Sequence, residues 1–80
     1  MKAKLVGIKK VDYVNKTGKA VKGTSLHILH DGDIDGQIAE SVYISDAYAV
    51  NMPAIPNLKP GLMIGIEYNR FGGVDNVVIQ

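Results

Sequence analysis

The stretch "HDGDIDGQI", residues 30 to 38, carries the densest set of potential ligands in the chain. Asp31, Asp33, Asp35, Gly36 and Ile38 fall at positions 1, 3, 5, 6 and 8 of a calcium-binding EF-hand loop. There, carboxylates wrap a hard cation and glycine permits the sharp turn. Such a loop also needs a bidentate glutamate at position 12, where this sequence has Val42, and a helix on each flank. Both flanks instead alternate with period two, the pattern of strands. The three carboxylates therefore read as the solvated tip of an exposed hairpin, with Gly32 and Gly36 supplying its turns. No metal site is expected there.

The remaining reactive side chains do not converge. His27 and His30 lie three apart on a predicted strand, so they point to opposite faces and cannot chelate one ion together. Ser25 lies near His27, but no strand–turn–helix elbow surrounds it to make a nucleophile. "GTS" and "FGG" are too short to cradle a phosphate. Cysteine is absent, which excludes disulfides and thiolate metal sites. The expectation is a binding protein with no enzymatic activity, no cofactor and no small-molecule substrate.

Charge and aromatic residues point to a different chemistry. The net charge is only +1, but residues 1 to 30 hold seven lysines against one acid, Asp12. Residues 31 to 80 hold Lys59 and Arg70 against seven acids. A split of this kind suits a polyanion-binding face, unless folding mixes the two halves in space. Sequence-independent binding of a nucleic-acid single strand needs a cationic groove for the backbone and aromatic platforms on which bases stack. Lys16, Lys19 and Lys22 cluster around a turn signal, "NKTGK". Tyr43 alternates with Val42 and Ile44 of core character and shares parity with Ser41 and Ser45, so it is expected on an outer face. Tyr68 shares parity with Ile64 and Ile66 and is expected in the core, while Tyr13 is ambiguous. Phe71, between Arg70 and the pair Gly72 and Gly73, lies at a loop tip. It either stacks on a base or inserts into a partner subunit.

These residues must be held by a small all-β fold. "KAKLVGIKKVDYV" alternates with a change of phase near Gly7, where a glycine suits a bulge or bend. "VKGTSLHILH" and "QIAESVYIS" read as second and third strands. In "SDAYAVNMPAIPN", Ser45 or Asp46 can cap about one helical turn before Pro53 and Pro56 end it. After the turn "LKPG", "LMIGIEY" and "VDNVVIQ" supply a fourth and a fifth strand. Five strands with a short helical or irregular connection between strands 3 and 4 match a five-stranded OB-fold-like Greek-key barrel. An SH3-like barrel fits the strand count nearly as well. The 80 residues form a single domain, 1–80, which buries roughly 60% of its unfolded surface. Lysines interrupt the apolar run after Met1, and no apolar stretch reaches the ~20 residues of a membrane span. The expected location is the cytoplasm.

"KPGLMIGIEYNRFGGVDNVVI" resembles the C-terminal half of the helix-destabilising, single-stranded-DNA-binding proteins of filamentous phages and related mobile elements. "KTGKAVKGTSL" resembles their first basic hairpin. The resemblance spans most of the chain and rests on short motifs. It implies an OB-fold homodimer that coats single-stranded DNA during replication or transfer. By position it assigns Lys16, Lys19 and Lys22 to phosphates and Phe71, beside Arg70, to the exposed tip. One departure is plain: the family's second hairpin carries an aromatic and basic residues, whereas this chain has "DGDIDG". A protein-binding adaptor, with its lysines merely solvated, is the alternative.

Overall fold

Alternation along the first strand fixes its inner face, and a single extra residue then switches it. In the computed structural model, which describes residues 1–80, β1 spans Lys2–Val14 and buries Ala3 and Leu5. Antiparallel β2 (Ala20–His30) sets Ile28 opposite Leu5 and His27 opposite Gly7, leaving Val6 without a partner. This is a bulge, and it bends the strand. Beyond it the inner face passes to even-numbered residues, with Ile8 opposite Leu26 and Lys10 opposite Thr24. The slip expected near Gly7 is present.

The bulge divides β1 by partner. Its first residues pair on both sides, with β2 and with β4 (Met63–Tyr68), from Lys2 opposite Gly65 to Lys4 opposite Met63. Its second half pairs only with β2 and projects as a two-stranded ribbon ending at the turn Asn15–Lys19. On the other edge of β2 lies antiparallel β3 (Ile38–Ser45), and β5 (Val74–Ile79) completes the sheet beyond β4. The order is β3-β2-β1-β4-β5.

Between β3 and β4 run a four-residue helix, α1 (Asp46–Ala49), and a 3-10 turn at Ile55–Asn57. Ser45 occupies the N-cap position, but its side chain makes no capping bond. In "LKPG" the Leu62 N–H donates to the Lys59 carbonyl at 3.3 Å, and Gly61 takes φ +100°. With Pro60 before it, this is the type II turn its sequence predicts.

One core joins both ends of the sheet. Leu5, Leu26, Ile28 and Ile44 meet Ile64, Ile66 and Val77, and Met52 and Leu58 from the connection close one end. Burial of each large aliphatic side chain stabilises the fold by about 1.5–3 kcal/mol. The sheet thus wraps around its own inner face as an OB-like barrel does, with the helical connection where expected. No ladder joins β3 to β5, so the barrel is open along that seam.

Tyr68 departs from expectation. It is 43% exposed rather than part of the core. The β4–β5 register shifts there: Glu67 faces Asn76 and Tyr68 faces Val74, with Asp75 left over between them. The bulge turns the end of β4 away from the core and sets Tyr68 beside the open seam.

Candidate nucleic-acid interface

Two loops of the same construction flank the candidate site. In Asn15–Lys19 the Asn15 N–H donates to the Lys19 carbonyl (2.9 Å), and Gly18 N–H to the Asn15 carbonyl (3.0 Å). The Asn15 Oδ1 accepts from the N–H groups of Thr17 and Lys19, both at 3.0 Å. Asn69–Gly73 repeats this bond for bond. Asn69 N–H donates to the Gly73 carbonyl (2.8 Å) and Gly72 N–H to the Asn69 carbonyl (3.1 Å). Asn69 Oδ1 accepts from Phe71 N–H at 2.9 Å and Gly73 N–H at 3.1 Å. Gly18 and Gly72 take φ of +80° and +83°.

Each loop is therefore a pinned turn that presents a cation at its second position, Lys16 in one and Arg70 in the other. The Arg70 guanidinium lies 4.9 Å from the centre of the Phe71 ring, which is itself 82% exposed. Left-handed backbone costs a residue bearing a Cβ about 1–2 kcal/mol, and a Cβ on Gly72 would meet nothing within 4 Å. Gly72→Ala should thus destabilise by about 1 kcal/mol through backbone strain alone. Urea denaturation checks this: the midpoint falls and the m-value stays constant.

The charge asymmetry survives folding along the ribbon. Lys9, Lys10, Lys16, Lys19 and Lys22 lie on the half of the β1–β2 hairpin that carries its turn, with Asp12 the acid among them. Lys16, Lys19 and Lys22 are exposed, and no lysine or arginine forms an ion pair in the chain. Asp31, Asp33 and Asp35 sit in the loop at the other end of β2. An 11-residue strand at about 3.3 Å per residue separates the two ends by roughly 30 Å. The acidic loop joins two strands, not two helices, and nowhere do three His, Asp or Glu side chains form a set that could hold a metal.

Tyr43 stands between the roots of the two loops. On the outer face of the sheet, paired residues line up as rows: His27 with Ser41, Lys9 with Ser25 and Tyr43, Val11 with Gly23 and Ser45, Tyr13 with Val21. The Tyr43 ring leans across Gly23, and its hydroxyl donates to the Lys22 carbonyl at 3.1 Å. A Cβ on Gly23 would stand 2.6 Å from that ring, so glycine is what lets it lie there. The ring remains 46% exposed. Tyr13, further along the ribbon, is exposed on the same face.

Along the open seam Tyr43 borders two clefts. One, of about 290 Å³, adds Tyr48, Asn69 and Gly73. The other, of about 320 Å³, adds Tyr68, Glu40 and Gly72. Partial burial, and then the nearby Glu40 carboxylate, push the Tyr68 hydroxyl above its ordinary pKa. Glu40 also accepts or shares a hydrogen bond with His30 Nε2 at 2.9 Å. His27, by contrast, faces solvent on the outer face.

The structure thus brings Tyr43, Lys22, Arg70 and Phe71 to one region, with Lys16 and Lys19 on the ribbon tip. Tyr48, Tyr68 and Asn69 join them without having been expected. The "N-x-x-G" spacing common to 15–18 and 69–72 was the available signal for Asn69. No helix is long and apolar enough to cross a membrane. Comparison with family models, curated proteins and solved structures finds no match.

Proposed function

We propose that this protein binds single-stranded DNA largely without regard to sequence, in the replication or transfer of a phage or mobile element. The observation that carries the reading is the setting of Tyr43. A half-exposed ring, pinned to the Lys22 backbone, lies between two rigid loops that each present a cation. Lys16, Lys19, Lys22 and Arg70 supply the backbone charge, and Tyr43 and Phe71 supply stacking faces. That combination suits unpaired bases, because a duplex hides the base faces that stacking needs. The motif resemblance to helix-destabilising proteins supports the same reading and the process in which it acts. The role is binding rather than catalysis, in the cytoplasm.

A fluorescence-anisotropy titration with labelled oligo-dT and with duplex DNA of equal length, at stepped salt, tests this. The single strand should bind more tightly, with log K falling linearly in log salt. Equal affinity for duplex, or no binding at low salt, would overturn it.

The protein acts as a homodimer. An 80-residue chain has a small core, and Phe71, Val50 and Val14 leave large apolar surface in water. Pairing of identical subunits is the commonest way to cover such surface. Light scattering at micromolar concentration should give twice the chain mass. A single-chain mass unchanged on concentration would remove the dimer from this reading.

A further inference from the structure

The 290 Å³ cleft at the end of the seam has features that general stacking does not require. Tyr43 and Tyr48 border it on one side, and Asn69 and Gly73 of the β4–β5 loop on the other. Two backbone N–H groups, of Phe71 and Gly73, fix the Asn69 carboxamide by its oxygen. The NH2 group is thereby turned away from the loop as a donor, and it has no acceptor within the protein. Gly73 keeps that group uncovered, since a Cβ there would stand 3.1 Å from Asn69 Nδ2. Ser45, in the same wall, has a buried Oγ with no hydrogen-bond partner. The cleft therefore combines aromatic borders, one oriented free donor and one unpaired hydroxyl.

We infer that this cleft takes one pyrimidine base of the bound strand, an inference that rests on the single-strand reading above. Its volume is at the lower limit for small-molecule pockets, which suits one planar ring system and not a longer ligand. The donor needs a carbonyl on the ring edge. Both pyrimidines of DNA carry one at C2, whereas adenine carries none. Tyr43 and Tyr48 stack, and Asn69 reads the edge. The site adds a preference for thymine and cytosine over adenine to an otherwise sequence-tolerant surface.

Asn69→Asp separates this from general binding. The carboxylate still accepts from the Phe71 and Gly73 N–H groups, so the loop holds, but the donor becomes an acceptor. Its added negative charge weakens dT and dA oligomers alike and cancels in their affinity ratio. The parent should favour oligo-dT over oligo-dA, and the variant should reduce that ratio about fivefold, the worth of one hydrogen bond. Tyr48→Ala, at a side chain 67% exposed and outside the core, gives a second reading should the loop variant fold poorly. It should weaken oligo-dT several-fold more than oligo-dA. Thermal melting confirms that each variant is folded. If the parent binds oligo-dT but both variants keep its dT-to-dA ratio within twofold, the base pocket is refuted and single-strand binding stands. If the parent binds no single strand, both readings fall together.

Discussion

Replacing Lys16, Lys19 and Lys22 together by alanine should flatten the dependence of log K on log salt by about 2. Each lysine that neutralises a phosphate releases condensed counterions and contributes about 0.7 to the slope for a single strand. Three such contacts therefore account for about 2, and their loss should weaken binding to every sequence alike. The prediction is clean because these side chains carry no structural duty. All three are exposed, and none is committed to an ion pair. The turn that presents Lys16 and Lys19 is held by Asn15 through backbone donors, not by the lysine ammonium groups. Substitutions at such surface positions usually change stability by less than about 0.5 kcal/mol. The parent and the triple variant should therefore melt together and differ only in binding. A variant that binds oligo-dT as tightly as the parent, with the same slope, would make the ribbon a solvated face. A protein-binding adaptor would then be the better account of the chain.

Much of this arrangement was legible because local pattern and fold agree. The phase change around Gly7 became a bulge at Val6 that hands the first strand from two partners to one. The parity of Tyr43 against Val42 and Ile44 placed it on the outer face. The opposed charges of "NKTGK" and "DGDIDG" were separated by an intact strand, so folding did not mix them. Parity failed where register slipped. Tyr68 keeps step with Ile64 and Ile66 in sequence, but the unpaired Asp75 on the neighbouring strand breaks that step in space. Tyr48 gave no periodic signal, because one turn of helix is too short to show a face. The open seam was also hidden. Whether β3 and β5 meet depends on how far the whole sheet curls, and no local stretch encodes that.

Tyr43→Ala should act on binding through a different route from the lysines. Loss of one base–aromatic stack costs roughly 1–3 kcal/mol, and stacking releases few ions, so affinity should drop while the salt slope stays nearly unchanged. The ring is placed for this by two contacts that leave one face free. Its hydroxyl donates to the Lys22 carbonyl, and Gly23 lets it lie close to the sheet. Tyr43→Phe removes the hydroxyl pin alone and should keep most of the affinity, since the stacking face remains. Gly23→Ala attacks the seat instead: its Cβ would fall 2.5 Å from the Ile44 carbonyl oxygen as well as against the ring. That change should disturb the β2–β3 pairing and lower both stability and affinity. Circular dichroism and thermal melting separate these cases, because Tyr43→Ala should remain folded while Gly23→Ala should melt earlier. If Tyr43→Ala is folded and binds oligo-dT as the parent does, the ring only seals the sheet over Gly23. The stacking role would then pass to Phe71 and the seam tyrosines.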